Sequence, residues 1–197
     1  MLFRSTITRQ IETSKKEEFS LTYEEKTRLL QLARNSIEYK LKNKEFVPSE
    51  NYSENLKTSC GAFVTLHKKG SLRGCIGRFI TDEPLYVVVQ QMALAAAFED
   101  TRFSPVKPGE MDDIDIEISV LTPLKRINSI DEFEYGKQGI YIKKGYRSGT
   151  FLPQVADETR WSKEEFLGHC AQDKAGIGWD GWKDAELYTY EALVFGE

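Results

Sequence analysis

The sequence predicts an α/β fold whose sheet is at least partly antiparallel. Three observations carry this. Segments with helical periodicity interleave with alternating strands, two strand pairs are close enough to be hairpins, and 40% hydrophobic with 29% charged residues suits a packed core. At 197 residues the chain fits one domain or two fused lobes.

The first helix begins near Thr22, where Thr22 and Glu25 form a capping box. Leu29, Ala33, Ile37 and Leu41 recur every four residues, and Lys40, Lys42 and Lys44 crowd the end, where cations suit the helix dipole. A polar connection opens at Pro48 and Ser49. From Gly61 the period changes: AFVTLH reads as a strand, KKGS as a turn and LRGCIGRF as the return strand. Thr81 is placed to cap a second helix whose buried stripe is Leu85, Val88, Val89, Met92 and Ala96, and alanines at 93 and 95–97 permit a close neighbour. The two prolines of EDTRFSPVKPGE exclude a continuous helix there.

Beyond that loop, Ile114, Ile116, Ile118 and Val120 alternate with Asp115, Glu117 and Ser119, a half-buried strand. GIYIKK (139–144) and GTFLP (149–153) form a second hairpin. Ser162 and Glu165 cap a helix running to about Ala175, with Gly176 as its stop, and LYTYEALVF (187–195) closes the chain as one strand. The order hairpin, helix, strand occurs twice, which points to two similar halves.

Several classes are excluded or unsupported. No apolar run approaches the roughly 20 residues of a membrane span, and MLFRSTITRQ lacks a secretory apolar core, so a cytoplasmic protein is expected. Three cysteines, Cys60, Cys75 and Cys170, are then expected to be reduced. The net charge of −4 is uneven: residues 82–135 carry −8 beside +4 over 51–81, and no basic stripe supports nucleic-acid binding. CxxC, HxxxH and HExxH are absent, as are the phosphate-cradling glycine motifs and GxSxG, so no metal, nucleotide cofactor or serine elbow is expected.

The sharpest local feature is Leu72-Arg73-Gly74-Cys75-Ile76-Gly77. Two glycines within an apolar strand mark a bulge or a close backbone approach. Cys75 is either a small buried hydrophobe or a thiolate activated by a nearby cation. Centring the turn on Lys69-Gly70 pairs residues whose numbers sum to 139. Cys75 then faces Val64 and Arg73 faces Leu66, with Arg73 and Cys75 on one face, roughly 7 Å apart, and His67 on the other; a bulge at Gly74 would break this parity. Asp100 and Arg102, in the loop after the second helix, form either an ion pair that ties the loop down or a site: Asp100 as general base or partner of Arg73, Arg102 as a fork for an anionic group. Gln154, at the end of a strand, either orients a ligand or satisfies a loop carbonyl. His169 and Cys170 are adjacent on a helix and point apart, so they make no dyad.

GAFVTLHKKGSLRGCIGRF, AFEDTRFSPVKPGEMDDIDIEISVLTPL, GTFLPQVADE and WSKEEFLGHCAQDKAGI resemble the AMME chromosomal region (AMMECR) family, whose prokaryotic members are called AmmeMemoRadiSam system protein A. The resemblance covers about residues 20–195 and leaves residues 1–19 as an N-terminal extension. It implies an α/β fold of two lobes, built from a duplicated β-rich unit and sharing a mixed, barrel-like sheet with helices outside, around a cleft that the LRGCIG strand lines or supports. It also implies Memo-like and radical SAM proteins as partners, and carries over Arg73, Gly74, Cys75, Gly77, Asp100, Arg102 and Gln154 as site residues. Two functions follow as expectations. One is an enzyme with Cys75 as nucleophile, assisted by Arg73 and Asp100, with Gly74, Gly77, Arg102 and Gln154 binding a small or peptide-like anionic substrate. The other is a non-enzymatic partner protein in which LRGCIG is a packing device and the acidic 82–135 region docks a basic surface.

Overall fold

The structure, a computed structural model, describes residues 19–48 and 51–197. Apart from Phe19, the expected N-terminal extension lies outside the described residues. Helix α1 spans Tyr23–Leu41 and carries the Thr22–Glu25 capping box. The short α2 (Glu54–Lys57) leads into strands β1 (Ala62–Lys68) and β2 (Ser71–Arg78), then α3 (Leu85–Phe98), β3 (Ile114–Leu121) and β4 (Lys125–Ile127). The second half holds β5 (Gly139–Lys144), β6 (Arg147–Phe151), α4 (Gln154–Thr159), α5 (Lys163–His169), β7 (Glu186–Tyr190) and β8 (Ala192–Gly196).

The strands form two four-stranded sheets, in the orders β2-β1-β3-β8 and β4-β7-β5-β6, and every pairing is antiparallel. On the first, Val64, Leu66, Ile116 and Ile118 bury beneath Leu29, Ala33 and Ile37 of α1 and Val88, Val89 and Ala93 of α3. On the second, Ile140, Ile142 and Leu187 pack against Phe133, Phe166 and Leu167. Read from the hairpin outward, the two orders are the same: the second hairpin strand, the first, the strand after the helices, then a strand handed over from the other half. The handover is made at one point. The N–H of Thr122 donates to the Glu191 carbonyl at 2.9 Å, and the N–H of Glu191 donates to the Thr122 hydroxyl at 2.8 Å.

Three expectations are corrected here. Among the described residues the shared mixed, barrel-like sheet is instead two separate antiparallel sheets that do not close, because β2, β8, β4 and β6 are all edges. LYTYEALVF is two strands: alternation continues through Glu191, but β7 pairs with β5 and β4 whereas β8 pairs with β3. Thr81 does not cap α3. The helix starts only after Pro84, because the chain before it is held by residues 58 and 59, with the Leu85 N–H donating to the Thr58 carbonyl at 3.0 Å.

Helices α1 and α3 pack on the face of the first sheet that carries Val64, Leu66, Ile116 and Ile118. Its other face, with Phe63, Thr65, His67, Cys75 and Gly77, meets the aromatic side of the second sheet at Phe79, whose ring lies 5.4 Å from Tyr141 and 5.1 Å from Tyr190.

Candidate functional site

The hairpin register decides where Cys75 points. Lys68↔Ser71 and His67↔Leu72 obey the expected sum of 139, but the register then shifts: Leu66 pairs with Gly74, Thr65 with Cys75 and Val64 with Ile76. Arg73 is the extra residue of a β-bulge. The expected parity is therefore broken at Arg73, one residue before Gly74. Cys75 does not oppose Val64 under the helices; it lies beside Thr65 on the opposite face, which His67 shares. The Thr65 hydroxyl donates to the Cys75 sulfur at 3.2 Å.

Arg73 is correspondingly not the cation beside Cys75. Its Nε and Nη2 donate to the two oxygens of Glu110, each at 3.1 Å, and Lys68 Nζ donates to the same carboxylate at 2.9 Å. These donors, Arg73 first, lower the Glu110 carboxyl to about 2.

The cation at Cys75 is Arg102. As the second sheet-edge consequence of the bulge, the N–H and C=O of Cys75 face away from β1. The N–H donates to Asp100 Oδ2 at 2.9 Å, and the carbonyl accepts from Arg102 Nη2 at 3.1 Å. Asp100 closes the bracket by accepting from Arg102 Nε at 2.9 Å and Nη2 at 2.7 Å. The Asp100 side chain is 4% exposed and that of Arg102 56%. The guanidinium, then the Cys75 N–H, hold the Asp100 carboxyl well below the usual carboxylate range. Asp100 makes no bond to Arg73, and its lone pairs are already occupied by donors. Arg102 lies over the Phe103 ring and keeps Nη1 without a hydrogen-bond partner among the described residues.

Both glycines of the motif are seats for neighbours. A Cβ at Gly74 would lie 2.2 Å from the Ala96 carbonyl oxygen of α3, and one at Gly77 would lie 2.0 Å from the Phe63 ring. The small alanines of α3 allow that approach. Ala96 lies four residues before Asp100, so the contact that demands Gly74 also places the carboxylate at the sheet edge.

The structure thus brings Cys75, Asp100 and Arg102 together, sets Arg73 apart with Glu110, and leaves Gln154 exposed at the start of α4 with no bond to this group. Cys60 and Cys170 are buried, and burial pushes both thiols up to about 12. His169 stacks on Trp161 at 3.8 Å and pairs with Asp173, far along the chain from the motif. Among the described residues no group of three His, Cys, Asp or Glu side chains is placed to hold a metal ion, and no helix is long and apolar enough to cross a membrane. Thr65 and Glu110 were missed by sequence reasoning. Thr65 would have been found by allowing a bulge one residue before Gly74; nothing local marks Glu110.

Comparison with known proteins bears out the family resemblance. A protein of Methanopyrus kandleri is 40% identical over 188 residues, covering 90% of each chain. One of Nanoarchaeum equitans is 38% identical over 178 residues, covering 86% of this chain and 98% of its own. The crystal structure of an uncharacterized protein from Pyrococcus horikoshii superposes with a TM-score of 0.66 at 38% identity, over 86% of this chain and 89% of that one. The AMMECR1 family profile matches residues 30–195, and the chain belongs to the AMMECR1 family.

Proposed function

We propose that the face carrying Cys75 is a reaction surface in a cleft between two lobes, each built on one copy of a duplicated β-rich unit. Cys75 acts there as a thiol nucleophile in group transfer or hydrolysis on a small or peptide-like anionic substrate. Arg102 offers its free Nη1 to the anionic group, Thr65 hydrogen-bonds the sulfur, and Asp100, Gly74 and Gly77 fix the strand that presents it. Gln154 would enter as a substrate contact from the other lobe. The observation that carries this reading is the bulge, which gives a chain with two deeply buried cysteines one partly exposed thiol beside a half-exposed guanidinium.

One observation favours a second reading. Asp100 and Arg102 direct their hydrogen bonds at each other and at the Cys75 backbone, as a purely architectural clamp would. The protein is then a non-enzymatic partner of Memo-like and radical SAM proteins, and the motif is a packing device.

Two electrophiles of similar size and opposite demand separate the readings. Iodoacetate is an anion and iodoacetamide is neutral. The reaction surface requires that Cys75 react with both in the native protein, and that Arg102→Met lower the iodoacetate-to-iodoacetamide rate ratio about fivefold while Arg102→Lys keeps most of it. A ratio unchanged in Arg102→Met removes the anion site, and a Cys75 inert to both reagents leaves the architectural reading.

A further inference from the structure

We propose that Glu110 is the positioning residue that turns Cys75 onto the face opposite the helices, by holding Arg73 out of the β1–β2 ladder. This rests on the reading of Cys75 as the working thiol only for its significance; the geometry stands without it.

A regular hairpin closed at Lys69-Gly70 keeps the sum of 139 along its whole length. Cys75 would then oppose Val64, which is fully buried, and its N–H and C=O would point at β1 rather than at Asp100 and Arg102. One extra residue, held outside the pairing, reverses both the face of the sulfur and the direction of the backbone. The residue held out is Arg73. Its guanidinium meets the Glu110 carboxylate in two parallel bonds of 3.1 Å, and its side chain is 11% exposed.

Glu110 is itself fixed from the far side of the contact. It sits in the helical turn 108–113, accepts from the Lys107 N–H at 2.9 Å, and is gripped by Lys68 Nζ. The same segment ties down the hairpin turn, since the Lys69 N–H donates to the Asp113 carbonyl at 3.3 Å. The anchor therefore lies on both ends of the stretch whose register it sets. Arg73, which looks from the sequence like a group aimed at substrate or sulfur, is on this account the handle by which the strand is shifted.

The register can be read directly. Thr65 and Cys75 form a pair without mutual backbone hydrogen bonds, the kind in which the two Cα atoms lie closest, so a strong Hα–Hα NOE joins them in the observed register. In the unshifted register that NOE joins Thr65 to Gly74. Three variants are compared by NMR and by the alkylation rate of Cys75 in the native state: Glu110→Ala, deletion of Arg73, and the two combined. Glu110→Ala is expected to lose the Thr65–Cys75 NOE and to slow Cys75 alkylation about fivefold or more as the residue turns toward the buried side. Deleting Arg73 removes the extra residue, so Leu72 is followed by Gly74 and the pairing downstream stays as it is. The combined variant is therefore expected to regain the NOE and to alkylate within about twofold of the unaltered protein.

Rescue by deletion is the outcome that a merely stabilising ion pair would not give. If Glu110→Ala keeps the NOE and the rate, the Gly74 contact alone fixes the register and the proposal is overturned. A combined variant that folds without the NOE overturns it as well. Should Glu110→Ala fail to fold, recovery of a cooperative fold with the NOE on deleting Arg73 supports the proposal, and no recovery overturns it. An unreactive Cys75 that nonetheless shows the expected NOEs throughout contradicts the thiol chemistry alone and leaves Glu110 in its role.

Discussion

Gly74→Ala is expected to cost about 3 kcal/mol, which for a protein of this size lowers the melting temperature by roughly 6–12 °C. The reason is that the obstruction is main chain. The added Cβ would sit 2.2 Å from the Ala96 carbonyl oxygen, and that oxygen belongs to a helix whose buried face is Leu85, Val88, Val89 and Ala93. A flexible side chain could swing away; α3 can only move as a unit. Its displacement would also draw Asp100 from the Cys75 N–H, because Ala96 and Asp100 are one turn apart at the helix end. Gly109→Ala is the matched control. A Cβ there meets nothing within 4 Å, and the change is expected to stay within about 0.5 kcal/mol. Thermal melts of the two variants check the claim, and equal melting temperatures would contradict the close approach of α3 to β2.

The second large effect is acid lability centred on two carboxylates. Asp100 and Glu110 both have their carboxyls lowered by folding, Asp100 chiefly by Arg102 and Glu110 chiefly by Arg73. A group lowered in this way binds its proton more weakly in the folded chain than in the unfolded one. Its stabilisation is thus complete above the unfolded value of about 4 and is lost as the pH falls through the folded value, which for Glu110 is about 2. The melting temperature is expected to fall most steeply between about pH 4.5 and pH 2. Asp100→Asn and Glu110→Gln are each expected to melt lower at pH 7 and to flatten that slope, since neither amide can be neutralised by acid. Calorimetry from pH 7 to pH 2 on the three proteins is the check. A slope in Asp100→Asn as steep as in the unaltered protein would mean that the bracket around Cys75 contributes nothing to the fold.

The parts of this protein that are legible in its sequence are those specified by neighbours in the chain. The capping boxes at Thr22 and Ser162, the β1–β2 and β5–β6 hairpins, and the buried stripe of α3 all follow from residues within one or two turns of each other. So does the warning in Gly74 and Gly77, because a glycine in a strand announces that something comes close without saying what. The rest depends on distant partners. The bulge falls at Arg73 rather than Gly74 because of a carboxylate 37 residues further on. The break in the last strand is set by Thr122, 69 residues earlier, and alternation runs through Glu191 undisturbed. Two open sheets and one closed sheet are written with the same local pattern, since closure is decided by which edges find each other. The candidate site shows the same division. Cys75, Asp100 and Arg102 were legible as residue types in suggestive company, whereas the partner of Arg73, the hydroxyl beside the sulfur and the face of the strand were not.

Cys75 is partly exposed on the face opposite the helices, while the other two thiols are enclosed. Brief exposure of the native protein to iodoacetamide at neutral pH, followed by peptide mapping, tests it most directly. The structure requires Cys75 to be alkylated while Cys60 and Cys170, buried and pushed up to about 12, react only after unfolding. A Cys75 protected as fully as the other two would contradict the reaction surface and leave the motif as architecture.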